Sequence, residues 1–254
     1  YWAATSPATK RDEDPQRHRP GVGTTEQQRL PLYAGAGKGA DVAAWKQAAR
    51  AEATAALQLD YGQVLYFLVK AFERLPHWLL VTEGIAMGYP LWLLKLSLAA
   101  YRLARVVRVG QVVSCLITAT RGITAGSGFA TTEMRLVFIR LIDRACRAFP
   151  SVRPTVFVDD LSTELSGRTK QVAKDLVGFG LMVCDAVTMN GMEMSSKKSV
   201  CTASNPSLAT ELVKGLKQYG ITYQPTVKAL GVGLGAGIRR VASISKKRLV
   251  DFRK

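Results

Sequence analysis

RPTVFVDDLSTEL, residues 153–165, reads as two short apolar strands joined by a tight acidic turn. Asp159 and Asp160 stand side by side in that turn. Adjacent carboxylates repel each other, so the pair is costly unless cations sit nearby. Two-metal phosphoryl transfer uses such a device, in which carboxylates hold two Mg²⁺ ions roughly 3.5–4 Å apart. Taken alone, the dipeptide reads as an exposed Asp-rich hairpin turn. What decides between these readings is the sequence around it.

The chain has 254 residues, enough for one large domain or two small ones and for a core without disulfide or metal staples. Lys and Arg total 35 against 19 Asp and Glu, a formal charge of +16. A balance this basic is the electrostatic footprint of a polyanion binder, and its plain alternative is a generally basic protein. Cys115, Cys146, Cys184 and Cys201 form no C-x-x-C pair, and the chain has only two His, which argues against a zinc site or a disulfide framework. A reduced intracellular compartment, the nucleus included, is the expected location. The most apolar stretch, 78–104, is interrupted by Glu83, Lys95 and Arg102, so no membrane span is expected. The chain begins with Tyr1, lacks a signal-peptide pattern and ends amid charge at Lys254, which reads as a fragment of a longer open reading frame.

Outward from the acidic turn, alternating strand and helix patterns favour layered α+β or α/β architecture over a bundle. Residues 1–30 are polar, proline-punctuated and without periodicity, and are expected to be a disordered or irregular arm. An Ala-rich helix is expected over about 41–57. VLYFLV (64–69) is a buried-strand candidate that periodicity does not separate from helix. Pro76 and Pro90 each open a helix. RVVRV and QVVSCLITA flank Gly110 as a hairpin, and an amphipathic helix follows over about 129–149, with Arg144 and its other charges on the solvent face. Beyond the acidic turn come a helix over 169–189, a strand over 197–203, a helix over 208–219 and a basic tail. Trp45, Trp78 and Trp92 lie in helical stretches among apolar residues and are expected in the core.

Two Gly-rich stretches are decoys. AGAGKG (34–39) lacks the Ser or Thr that must follow the lysine of a phosphate loop, since Gly39 follows Lys38. GVGLGAG (231–237) gives G-x-G-x-x-A, but a charged, non-amphipathic stretch follows where a packed helix should begin. Both read as loop or hairpin.

The surroundings of Asp159 and Asp160 resemble the reverse transcriptase family, the RNA-dependent DNA polymerases of retroelements. FVDD (157–160) resembles that family's aromatic-x-Asp-Asp box. RGITAGSGFATTE (121–133) is similar to the R-G-[IV]-x-Q-G segment before a long helix, with Ala125 where Gln is usual. LVKAFERLPHWLL (68–80) is similar to the palm segment D-L-S-K-A-F-D-x-V-P-H, with Glu73 for the second Asp. SSKKS (195–199) resembles N-x-x-K-T, and KALGV (228–232) resembles the strand that leads to the thumb. The resemblance spans about 35–232 and implies an α+β fold, a palm-type β-sheet with helices packed on one face plus partial helical fingers. It implies partial fingers over 31–60, a palm over 61–235 and a basic tail or start of a thumb over 236–254.

The resemblance further implies Mg²⁺ (or Mn²⁺) at Asp159 and Asp160, with an RNA template, a DNA primer and a dNTP as partners. Phe72 stands where the family places the aromatic gate that rejects a ribose 2′-OH, and its plain alternative is a core Phe beside Leu68. Arg121, Gly122, Gly126 and Lys198 would approach template, incoming base or triphosphate, against the alternatives of a helix-start turn and a solvated lysine pair. His77 is expected to be structural.

One position departs from the pattern. Aligning K-A-F puts Phe67 where the family carries its first metal-binding Asp. Asp60 lies seven residues upstream, roughly 20 Å or more along a strand, too far to replace it. Glu73 is expected to face solvent or Arg74. The expectation is therefore an impaired polymerase that keeps its fold, or a non-catalytic nucleic-acid-binding module derived from one.

Overall fold

The computed structural model describes residues 31–35 and 37–236. The expectations for the N-terminal arm and the basic tail lie outside those residues. Seven α-helices are described: α1 (Ala40–Ala56), α2 (Ala71–Arg74), α3 (His77–Ala86), α4 (Leu91–Tyr101), α5 (Ala130–Ala148), α6 (Thr169–Met189) and α7 (Pro206–Leu216). The strands are β1 (Asp60–Tyr66), β2 (Arg108–Val109), β3 (Val112–Val113), β4 (Arg153–Phe157), β5 (Asp160–Gly167), β6 (Val200–Ala203), β7 (Thr222–Tyr223), β8 (Thr226–Ala229) and β9 (Val232–Gly235).

Five strands form one sheet in the order β4-β5-β1-β6-β7. All its pairings are antiparallel except β6 with β7. Alternation along the strands sorts side chains onto two faces. One carries Val64 and Tyr66 of β1, Leu161 and Leu165 of β5, Val156 of β4 and Cys201 of β6. These join Leu176, Phe179 and Val183 of α6 and Leu208, Leu212 and Leu216 of α7 in the main core. Helix and sheet lie close there, because a Cβ on Gly62 would come 2.8 Å from Leu176 Cδ1. The N-terminus of α7 is capped by Asn205, whose side chain accepts from Leu208 N–H at 2.8 Å, with Pro206 opening the helix.

The other face is polar. Tyr61, Gln63, Ser162, Glu164 and Thr202 alternate with the apolar set and are almost wholly buried beneath α1 and the β8–β9 hairpin. Gln47 of α1 donates to Ser162 Oγ at 2.8 Å, and Arg50 pairs with Glu164. Tyr61 O–H also donates to Glu164, at 2.6 Å. Thus α6 and α7 cover one face, while α1, in the segment read as partial fingers, lies across the other.

Most expected elements form. Glycine-centred hairpins stand at Gly110 and Gly231, and β6 begins at Val200 rather than at 197, because Lys198 and Ser199 turn back onto the Ser195 carbonyl. The tryptophans are a correction: Trp45, Trp78 and Trp92 are 70%, 54% and 70% exposed. Small side chains make the contacts instead. Helix α1 buries Ala43, Ala44 and Ala51, which lets its backbone approach the sheet, and Trp45 falls off that stripe. The charges of α5 also divide: Arg144 is exposed, whereas Glu133 and Arg135 are buried.

Candidate functional site

Phe157 pairs with Asp160, so β4 and β5 are joined by a two-residue loop of Val158 and Asp159. Val158 has φ +60°, and Asp159 does not share a positive φ. That is the φ pattern of a type II′ hairpin turn, whose first position is normally Gly. A β-branched residue there is a strained outlier, a feature that clusters at functional sites. Both carboxylates are half-buried. Burial pushes the Asp159 carboxyl up, and the Glu73 charge adds to it. Burial pushes Asp160 up as well, its neighbour Asp159 adds to this, and Lys198 opposes it.

The end of β1 comes level with this turn. Tyr66 pairs with Leu161, so the next residue, Phe67, draws alongside Asp160. Phe67 N–H donates to Ser199 Oγ at 3.0 Å, and its carbonyl accepts from Ser195 N–H at 2.7 Å. Its ring packs against the small cluster of Leu65, Val200, Val227, Ala229 and Leu234. Phe67, Asp160, Ala229 and Leu230 line a cavity of about 20 Å³ between the sheet and the β8–β9 hairpin.

A second layer is built on α2. Lys70 at φ +49° turns the chain into it, and Phe72 is half-buried against the main core. The Gly-rich turn is tied to this helix: Gly122 N–H donates to Leu75 O at 2.8 Å and Ile123 N–H to Phe72 O at 2.9 Å. Gly122 has φ +94°, and a Cβ there would lie 2.8 Å from Glu73 O. His77, buried, donates from Nε2 to Gly122 O at 2.8 Å while Nδ1 accepts from Arg102. At the far end of the turn Tyr101 O–H donates to Glu133 at 2.5 Å, and Ser127 O–H donates to the Tyr101 oxygen at 2.8 Å. Gly126, at φ +85°, faces open space.

Asp159, Asp160, Phe67 and Lys198 are therefore brought together, with Phe72 and Gly122 on the adjoining layer. Arg121 is directed elsewhere, with its guanidinium on the Gly191 carbonyl just past α6. Asp60 sits at the opposite end of β1, bound by Thr169, Ser204 and Asn205. Glu73 faces solvent, but its charge reaches Asp159, and Arg74 pairs with Glu193 instead. Ser199, which fixes the Phe67 backbone, carries no sequence signal beyond its place in SSKKS. Among the described residues, no group of three or more His, Cys, Asp or Glu side chains is placed to hold a metal ion. Asp159 and Asp160 are two adjacent carboxylates with the Phe67 ring, not a third carboxylate, beside them. No described helix is long and apolar enough to cross a membrane, and all four cysteines are free.

No protein-family model matches the chain, and no curated protein matches its sequence. Its fold does match solved structures. Apo telomerase from Candida tropicalis, truncated of its C-terminal domain, superposes with a TM-score of 0.60 at 7% identity, covering 87% of this chain and 43% of that one. Telomerase from Candida albicans, in complex with a TWJ fragment of telomeric RNA, gives 0.60 at 10% identity, covering 91% of this chain and 40% of that one. The Candida tropicalis enzyme in complex with the same kind of RNA fragment gives 0.57 at 9% identity, with 87% and 36% covered. The fold is thus α+β with a reverse-transcriptase-like palm. The chain spans less than half the length of each telomerase chain.

Proposed function

We propose that this chain is a reverse-transcriptase-like palm from a retroelement-derived polymerase, which binds an RNA template and a DNA primer, and in which nucleotidyl transfer is impaired. The observation that carries the reading is the pair Asp159–Asp160, half-buried on a strained two-residue turn at the tip of the palm hairpin. Burial raises both carboxyls, with the Glu73 charge adding at Asp159 and the Asp159 charge adding at Asp160, a cost that a bound cation would offset. Mg²⁺ or Mn²⁺ held by these two side chains would supply charge stabilisation at the α-phosphorus of a dNTP under attack by a primer 3′-hydroxyl. Lys198, the cation nearest Asp160 in effect, would face the triphosphate. Phe72 would exclude a ribose 2′-OH, and the backbone at Gly122 would approach the template or incoming base. The site of action in this reading is intracellular, and nuclear where the element integrates.

A second reading, a non-catalytic nucleic-acid-binding module on the same scaffold, is favoured by Phe67. Its ring is part of a packed cluster, so the position has been absorbed into the fold.

Primer extension on poly(A)/oligo(dT), with Mg²⁺ and then Mn²⁺, separates the two. The protein as it stands, Phe67→Asp, and Phe67→Asp combined with Asp159→Ala are compared, each checked by thermal melting. Extension by the Phe67→Asp protein alone is expected. Equal extension by the unmodified protein overturns the impairment. Extension by none, with hybrid binding at low salt intact, leaves the binding module. Absence of hybrid binding removes both readings.

A further inference from the structure

We propose that the projecting β-hairpin of residues 105–117 is an arm that enters the groove of a B-form DNA duplex, outside the catalytic turn. This rests on the nucleic-acid-binding part of the function proposed above and is independent of turnover.

The arm stands clear of the body. Every residue from 102 to 113 is exposed, and Val109 and Val112, paired beside the Gly110 turn, are each 74% exposed. Its hydrogen bonds close on itself. Arg105 and Ile117 exchange backbone bonds of 3.1 and 2.8 Å, and Ser114 N–H donates to Val107 O at 2.9 Å. From base to tip the ribbon measures roughly 17 Å, at about 3.3 Å per residue. Such a two-stranded ribbon is at best marginal alone in water, and Val106, Val107 and Val113, all more than half exposed, make it more so. A partner that covers them is therefore part of its design.

Charge gives the chemistry of that partner. Between Glu83 and Glu133 lie 49 residues without one Asp or Glu, and they carry Lys95, Arg102, Arg105, Arg108 and Arg121. The guanidinium groups at the arm are held by neutral acceptors only. Arg102 bonds to His77 Nδ1, Arg105 to the Tyr101 and Leu103 carbonyls, and Arg108 to the Gly110 carbonyl. Their charge is thus oriented but not compensated among the described residues, which suits a row of phosphates.

Shape selects the form of nucleic acid. The major groove of B-DNA, about 12 Å wide and 8.5 Å deep, admits a two-stranded β-ribbon, whereas that of an A-form helix is too narrow. The sequence RVVRVGQVVSCLI (105–117) contains no aromatic ring on which unpaired bases would stack. Valine methyls at the tip instead suit the thymine methyls that line the groove.

The test is fluorescence anisotropy of the full chain with a 20-bp DNA duplex across a salt series. The unmodified protein is compared with Arg105→Ala/Arg108→Ala and with Val109→Ser/Val112→Ser, each checked by thermal melting. Loss of two phosphate contacts is expected to weaken binding about tenfold or more and to lower the salt slope by about two. The valine variant is expected to weaken binding at unchanged slope. As an independent readout, a benzophenone placed on exposed Cys115, with Cys146→Ser, is expected to crosslink to the duplex. Unchanged affinity and slope in the arginine variant overturn the proposal. So does binding to anionic phosphatidylserine vesicles, or self-association, that is lost with the arm while duplex affinity stays the same. Arm-dependent duplex binding without extension by the Phe67→Asp protein removes the polymerase reading and leaves the arm standing.

Discussion

Phe67 and Asp160 line one small cavity at the ends of two paired strands, an aromatic ring beside a half-buried carboxylate. Phe67→Asp removes a half-buried ring from the Leu65–Val200–Val227 cluster and is expected to cost about 2 kcal/mol, less than a fully buried Phe truncation. The same change adds a third carboxylate beside two that burial already holds high. Mn²⁺ or Mg²⁺ should therefore stabilise it, by about 2.7 kcal/mol at a hundredfold excess over Kd, seen as a raised melting temperature, while the unmodified protein gains less. Equal shifts in the two proteins would remove Phe67 as the limiting position.

Ser199 fixes the Phe67 backbone through its hydroxyl, and it is itself fully buried. Ser199→Ala leaves that N–H without its acceptor, at an expected cost of about 1–3 kcal/mol in urea unfolding. Ser199→Thr keeps the hydroxyl and should recover part of the loss. A loss no larger for alanine than for threonine would show that the hydrogen bond contributes little.

The strand–turn–strand of 153–165 and the long helices were legible because apolar periodicity and proline positions act locally. The polar face of the sheet was not. Tyr61, Gln63, Ser162 and Glu164 look like a solvent face on any single strand, and only the placement of α1 buries them. Trp45 misleads for the complementary reason, since close packing by alanines turns the largest side chain of α1 outward. At the site, Asp159 and Asp160 are neighbours in sequence and easily seen. The influence of Glu73 on Asp159 spans 86 positions and follows from the turn into α2 at Lys70.

Two glycines of one turn should respond differently to alanine. At Gly126 a Cβ meets open space, so only the positive φ is strained, at about 1 kcal/mol. At Gly122 a Cβ would also press on Glu73 O, which belongs to the backbone of α2 and has little freedom to move. Gly122→Ala should cost about 3 kcal/mol or more and loosen the Gly122–Leu75 hydrogen bond, seen as faster amide exchange there. Equal costs at the two positions would show that the close approach is unimportant.

The Arg50–Glu164 pair under α1 should show the asymmetry of buried ion pairs. Burial pushes the Glu164 carboxyl up despite Arg50 and Tyr61, so its desolvation outweighs its partners. Glu164→Gln is therefore expected to change stability by less than about 1 kcal/mol, whereas Arg50→Ala strands a carboxylate and should cost about 2–3 kcal/mol at neutral pH. The Arg50→Ala loss should shrink on acidification. A carboxyl held high in the folded state contributes most below its unfolded pKa, and that contribution fades as pH rises through the folded value. A loss that stays constant with pH would assign the effect of Arg50 to packing.

Asp60 titrates with the opposite sign. The Thr169 hydroxyl holds its carboxyl below the usual carboxylate range, Asn205 and Ser204 assist, and burial opposes them. These bonds tie the start of β1 to the first turn of α6 and to the cap of α7, because Asn205 donates to Asp60 and accepts from Leu208. A carboxyl lowered in the folded state stabilises fully above its unfolded pKa, near 3.9, and loses that contribution as pH falls through the folded value. Asp60→Asn should thus be less stable than the unmodified protein at pH about 7, with the gap closing toward pH about 3. Urea midpoints at the two pH values measure it. Because Asp60 lies at the far end of β1 from Phe67, the hybrid binding proposed above should be the same for the Asp60→Asn protein as for the unmodified chain wherever both are folded. A binding defect without a pH-dependent stability gap would mean that the strand transmits more than its own anchoring.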